Sequence, residues 1–335
     1  MLVDFGADIA ATPFQVEAAA VAAEAAGYDG LGVPETRHDV FTGLTLAARA
    51  TERITLQSSI AVAFARNPMT VAMQANDVQL LSGGRFQLGL GSQVQAHIER
   101  RFGMPWSRPA ARMEEFIAAV RAIWRTWSTG DRLHFKGAFY THTLMTEFFN
   151  PGPNPHGNPP ILLAAVGERM AEVAGRVADG VLCHSFTTPA YLAEHTVPAV
   201  RKGRGGSLDG FTFCLPVLAV LGADERERAI AEAAIRQQIA FYGSTPSYRP
   251  VLDQHGWGDL GERLNLLSRQ GAWKEMGAAI DDPVLSTFAV SGNAAQVAAG
   301  LRERFGATVG RISLYTPYPV DPALTAEVMR LLREA

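Results

Sequence analysis

The strongest acid/base grouping in the chain is Glu35-Thr36-Arg37-His38-Asp39. A histidine beside a carboxylate can be tuned across neutral pH and can take or give a proton during a reaction. A solvated loop cluster has the same composition, and the residues alone leave both readings open. His97 opens a helix-like stretch, His97 to Arg101, and suits a polar helical face. His184 ends an apolar run, where a core histidine and a ligand are both open. Two segments could meet a ligand through their backbone. Ser82-Gly83-Gly84-Arg85-Phe86-Gln87-Leu88-Gly89-Leu90-Gly91-Ser92 reads as a turn, a buried strand and a glycine-rich exit, which lets N–H groups approach a flat or anionic molecule. Ala164-Ala165-Val166-Gly167-Glu168-Arg169-Met170 is a small-residue strand end running into a helix, and the helix N-terminus could receive a phosphate. Close packing of helix on strand would leave the same signature.

Other chemistries have no support. There is no His-x-His on the first strand, no His-Glu-x-x-His, and no recurring carboxylate pair, so no metal site is expected. The Gly-x-Ser-x-Gly elbow and the Walker pattern are absent as well. If the chain does chemistry, an organic cofactor carries it.

The elements that must position these residues alternate between short strands and helices. Strands are expected over 2–6, 28–33, 54–63, 86–90, 161–165, 180–184, 211–221 and 311–315. Helices are expected from Pro13 behind a Thr12 cap, over 42–51, over 69–81 behind Asn67-Pro68, over 112–127, over 169–178, and from Pro322 onward. Eight such units without a Gly-x-Gly-x-x-Gly after the first strand favour a closed α/β fold, the (β/α)8 TIM barrel, over a doubly wound sheet. One domain, 1–335, is expected, with insertions in the βα loops at about 128–159 and 242–290. The first contains a hairpin candidate, 133–140. The second carries Tyr242, Tyr248, His255, Trp257 and Trp273 and would cover the active face.

Composition sets the remaining bounds. Apolar residues are 47% of the 335, enough for a large core. Charged residues are only 19%, which leaves room for an oligomeric interface, and the net charge of −3 argues against nucleic acid or an anionic membrane as partner. Cys183 and Cys214 are too few for a disulfide framework and fit a reducing compartment. Without a basic leader or a long apolar run, a soluble cytoplasmic protein is expected.

Arg66-Asn67-Pro68, Asp77 with Leu81-Ser82-Gly83-Gly84-Arg85, Leu88-Gly89-Leu90-Gly91, Arg112-Met113-Glu114-Glu115 with Ile123-Trp124, and Pro160 to Gly167 with Ala178-Asp179-Gly180-Val181 follow one another in an order that resembles the bacterial-luciferase-like flavin and deazaflavin oxidoreductases. Glu35 to Asp39, Ile60 to Thr70, Gly89 to Val94 and Ala240 to Pro246 are similar to a subgroup assigned as coenzyme F420-dependent oxidoreductases. The resemblance implies a TIM barrel, a homodimer, a small-molecule substrate, and hydride chemistry at C5 of F420, with FMN, a reductase and dioxygen as the alternative. A barrel without catalytic activity is a third possibility. It implies a non-proline cis peptide at Ser59-Ile60 against the cofactor ring, with Ala61, Asp8 and Ser92 also on the cofactor side. It implies a phosphate loop at Ala165-Val166-Gly167 and catalytic roles for His38, Asp39 and Glu35. Two departures stand out. Thr36 sits where a histidine commonly follows the acid, and Ser92-Gln93-Val94-Gln95 has no acid before Glu99, unlike sugar-phosphate-oxidising relatives.

Overall fold

The computed structural model describes residues 1–334. Eight parallel strands close into a barrel: β1 (Leu2–Gly6), β2 (Gly30–Val33), β3 (Thr55–Ser58), β4 (Phe86–Gly91), β5 (Ile161–Ala165), β6 (Gly180–Cys183), β7 (Thr212–Leu221) and β8 (Arg311–Tyr315). Closure is made where Leu2 of β1 pairs with Arg311 of β8. The far end of β7 carries one extra parallel strand, Ala289–Gly292.

Local signals in the sequence start most of the helices. Thr12 and Gln15 form a reciprocal capping box with Pro13 in the first turn, and the Asn67 side chain accepts from the Thr70 N–H ahead of Pro68–Leu81. Helix Val40–Ala50 begins two residues before the expected 42, because the Asp39 side chain accepts from the Thr42 N–H and fixes the start. The strand expected over 54–63 is broken. β3 ends at Ser58, the Ser59–Ile60 peptide is cis, and Ala61–Val62 resumes beside β4 before a short 3₁₀ turn at Ala63–Ala65. The hairpin expected over 133–140 lies slightly later, Phe135–Lys136 against Thr141–His142. Its turn is tied to the long helix Pro109–Thr129, where the Glu115 carboxylate accepts from the N–H groups of Ala138, Phe139 and Tyr140 at 2.7–2.8 Å.

Two apolar clusters hold the fold. The larger lies between the strands and the surrounding helices, with Leu56, Phe86, Leu88, Ile161, Leu163 and Val181 fully buried. Each such side chain contributes about 1.5–3 kcal/mol on leaving water. The smaller lies over the ends of β6 and β7. There Phe186, Leu218 and Val220 pack with Ile239, Leu264 and Phe288 of the helices that cap the barrel. Inside the barrel, below its mouth, Arg311 grips Asp4 with two hydrogen bonds of 2.9 and 2.6 Å. Burial raises the Asp4 carboxyl despite that partner. Gly30 makes room for the pair, since a Cβ there would stand 2.4 Å from the Asp4 Oδ1.

Candidate functional site

A cavity of about 2340 Å³ opens at the C-terminal ends of the strands. Pockets for one ligand usually measure roughly 300–1,000 Å³, so this one has room for two molecules side by side. Its β3 wall is built by crowding. The Ser58 hydroxyl donates to the Gly89 carbonyl and accepts the Gly89 N–H, both at 2.9 Å, which locks β3 to β4 just before the chain turns inward. A Cβ at Gly89 would lie 1.9 Å from the Ser58 carbonyl oxygen, and one at Gly91 would lie 2.7 Å from Ile60 Cδ1. These glycines therefore admit the neighbouring segment, where the sequence suggested backbone access for a ligand. Ile60 packs with Ala164, Leu162 and Leu182 and forms the apolar floor.

The residues expected to bind a cofactor separate into two groups. Asp8, Ser59, Ile60, Ser92, Ala165, Val166 and Gly167 all line the cavity. Ala61 does not: it is fully buried in the short strand beside β4, behind Ile60. At β5, helix Glu168–Val177 begins at Gly167 with no side-chain cap; the Met170 N–H donates to the Gly167 carbonyl, and the N–H groups of Glu168 and Arg169 are left open. A Cβ on Gly167 would meet nothing within 4 Å.

The acid/base trio is arranged differently from what adjacency suggests. Glu35 and Asp39 are brought together by Arg66, which bonds both. Glu35 also accepts the Val62 N–H at 2.7 Å and so anchors the segment that follows Ile60. Arg66 lies over the Phe41 ring at 5.4 Å. His38 has no hydrogen-bond partner among the described residues and is exposed. It borders a narrow side cleft with Asp8, Pro34 and Thr36, of which Asp8 and Pro34 also line the main cavity. None of Glu35, His38 and Asp39 lines the main cavity itself.

The opposite wall, at β6 to β8, is one that sequence reasoning only touched. His184 at the end of β6 is covered by Tyr242 and Tyr248, whose ring centroids both stand 4.6 Å from its own. Burial lowers the His184 imidazole to about 4 and raises the Tyr248 phenol to about 12. The Tyr242 hydroxyl meets that of Tyr315 at 3.3 Å, and burial followed by that hydrogen bond raises Tyr315. Tyr315 and Tyr318 were missed, although the strand-end rule applied to β8 leads directly to Tyr315.

At the rim near β5, His195 lies between the Glu168 carboxylate and the Gln254 amide oxygen, each at 2.6 Å, with Tyr191 stacked against it at 4.7 Å. The Gln254 amide nitrogen donates to Glu194, which fixes its oxygen toward His195. Both ring nitrogens therefore face acceptors, and the hydrogen bond to Glu168, then that to Gln254, raises the imidazole. Arg169, in the first turn of that helix beside Glu168, and Arg108, before helix Pro109–Thr129, also line the cavity. No group of three or more His, Cys, Asp or Glu suited to a metal ion exists among the described residues, and no helix there is long and apolar enough to cross a membrane.

A closed parallel barrel with its cavity at the C-terminal strand ends defines this chain as a TIM-barrel protein with an open barrel mouth. Residues 6–311 match the luciferase-like monooxygenase family model, and the chain belongs to that family. It is 50% identical over 297 residues to the uncharacterized protein Rv1360 of Mycobacterium tuberculosis, covering 88% of this chain and 87% of that one. It is 26% identical over 310 residues to the 5,10-methylenetetrahydromethanopterin reductase of Archaeoglobus fulgidus, covering 89% and 88%. The coenzyme F420 dependent tetrahydromethanopterin reductase of Methanopyrus kandleri has the same fold, with a TM-score of 0.79 at 20% identity over 98% of this chain and 96% of that one.

Proposed function

We propose that this chain is an oxidoreductase that exchanges hydride between coenzyme F420 and a small organic substrate held in the barrel-mouth cavity. The reading is carried by the division of that cavity. One part combines the apolar Ile60 floor with an uncapped helix end and the cations Arg108 and Arg169, while the part beyond it is neutral and aromatic. A deazaflavin has matching parts: a flat apolar ring system and an anionic tail. The volume leaves space for a substrate beside it. The F420 dependence named for the Methanopyrus kandleri reductase and the similarity to the Archaeoglobus fulgidus reductase support the choice.

When bound, the deazaflavin supplies hydride chemistry at C5. The chain's own residues do the rest. Ser59 and Ile60, backed by Ala61, would support the ring, and Asp8 and Ser92, which line the same cavity, would help to hold it. Ala165, Val166 and Gly167 would receive the tail phosphate through the helix end. His38 handles the substrate proton from the side cleft that opens beside Asp8. Glu35 and Asp39 serve His38 and Ile60 together, because their shared grip on Arg66 and on the Val62 and Thr42 N–H groups fixes both flanking segments.

The alternative is an FMN-dependent monooxygenase that works with reduced flavin and dioxygen, and the monooxygenase character of the family model favours it. Titrating the purified protein with oxidised F420 and with FMN, followed by quenching of intrinsic fluorescence, separates the two; Trp106 lines the cavity and serves as reporter. F420 is expected to bind about tenfold tighter or better. Saturable binding of FMN with none of F420 overturns the proposal. With a substrate in hand, His38→Ala is expected to slow turnover on the order of 10²-fold or more at unchanged cofactor affinity. Unchanged turnover removes His38 from the mechanism.

A further inference from the structure

The wall across the barrel from Ile60 has an unusual hydrogen-bond balance. His184 Nδ1 accepts the Phe186 N–H at 3.0 Å, so Nε2 carries the ring proton and donates to the Tyr248 hydroxyl at 3.3 Å. The Tyr248 O–H then has no acceptor among the described residues. The hydroxyls of Tyr242 and Tyr315 share one bridging proton at 3.3 Å, which leaves the second proton of that pair without an acceptor. Two phenolic donors on half-buried tyrosines thus open on the cavity, where water or a ligand can accept from them.

On this wall the guanidinium of Arg311, low on β8, is already paired with Asp4 below the mouth. Every residue that lines the cavity between 238 and 250, and between 312 and 319, is uncharged. His184 is neutral at pH 7 because burial lowers it to about 4. An anion there would lose water without gaining a free counter-charge. The rings of His184, Tyr242 and Tyr248 offer faces and edges to a flat apolar body.

We propose that His184, Tyr242, Tyr248 and Tyr315 form the substrate wall and that it takes an uncharged, flat carbonyl compound, whose oxygen accepts from the tyrosine hydroxyls and whose body packs on the rings. Carboxylates and phosphates are rejected. The word substrate rests on the hydride-transfer reading above, whereas the binding preference does not. Tyr248 and Tyr315 select the ligand, and His184 is a positioning residue that orients the Tyr248 hydroxyl.

The test is calorimetric binding of three matched probes, 2-acetylnaphthalene, 2-naphthoate and naphthalene, to the full chain with and without saturating oxidised F420. The ketone is expected to bind about tenfold tighter than the carboxylate. Tyr248→Phe and Tyr315→Phe are each expected to weaken the ketone roughly threefold to tenfold, while naphthalene affinity and the circular dichroism spectrum stay the same. Equal affinity for the carboxylate overturns the proposal. So does insensitivity of the ketone to both tyrosine variants, or the absence of saturable ketone binding in either state. If neither F420 nor FMN binds while the ketone preference holds, the hydride-transfer reading fails and the wall stands. If F420 binds and the preference is missing, the wall fails alone.

Discussion

The two walls of the cavity use charge in opposite ways. At β2 and β3, Arg66 joins Glu35 and Asp39 in an ion triad; Glu35 and Arg66 are enclosed, with side-chain exposures of 7% and 12%, Asp39 is exposed at 40%, and Glu35 grips the backbone behind Ile60. At β6 to β8, four side chains that could hydrogen-bond a ligand are neutral and rest mainly on ring contacts and on two hydroxyl bridges. Charge fixes a segment that must keep its shape. Its absence leaves the facing wall selective for neutral molecules. A buried ion pair suits the first task because removing one partner is expensive, and uncharged phenols suit the second because each contributes little to stability and much to recognition.

That contrast can be broken most severely at Arg66. Arg66→Ala leaves the Glu35 carboxylate buried with only the Val62 N–H, and a loss of about 3–5 kcal/mol in unfolding free energy is expected by urea denaturation. A loss below about 1 kcal/mol, in the range of exposed pairs, would make the triad an ordinary surface ion pair. Gly89→Ala comes next. Its Cβ would stand 1.9 Å from the Ser58 carbonyl, which belongs to backbone and cannot swing aside, so about 3 kcal/mol of destabilisation is expected, together with weakened cofactor binding.

On the neutral wall, pH is the sharper tool. The His184 pKa is lowered in the folded state to about 4 from an ordinary 6.5. The unfolded chain therefore binds the proton first as pH falls. The stability that neutral His184 provides is fully present above about pH 6.5 and is lost progressively toward pH 4, by about 3 kcal/mol in total. Thermal melts of the wild type and of His184→Gln across pH 7 to 4.5 isolate this contribution, since the variant should lose less. Parallel curves would show that His184 is not held neutral by burial. The smallest effect is expected from Tyr248→Phe, whose removed hydroxyl makes one neutral hydrogen bond: the midpoint should correspond to a change of no more than about 1 kcal/mol. A larger loss would mean that the aromatic wall, like the triad, is built for rigidity.

Much of the scaffold was legible from local chemistry. Thr12-Pro13 and Asn67-Pro68 announce helix starts that the structure keeps, and the apolar runs at 86–90 and 161–165 become β4 and β5. The strand expected over 54–63 is interrupted at Ser59–Ile60, where the family resemblance implied the cis peptide and residue periodicity did not, because Gly89 and Gly91 on the neighbouring strand make the room for it. Asp39 illustrates the same limit. Its neighbour His38 suggested a proton pair, yet the side chain caps a helix and bonds Arg66, 27 residues away.

The sequence by itself determined the alternation of elements, the closed barrel it implies, the family, and the strand ends that surround the cavity. Those follow from caps, periodicity and ordered landmarks, which are short-range properties of the chain. Only the tertiary structure decided which of those residues share a cavity. Tyr242, Tyr248, His184 and Tyr315 lie up to 131 residues apart and meet because β6 and β8 flank β7 while the insertion folds back over them. Charge neutrality at that wall is likewise a property of burial, which is produced by packing and is not written in any single residue.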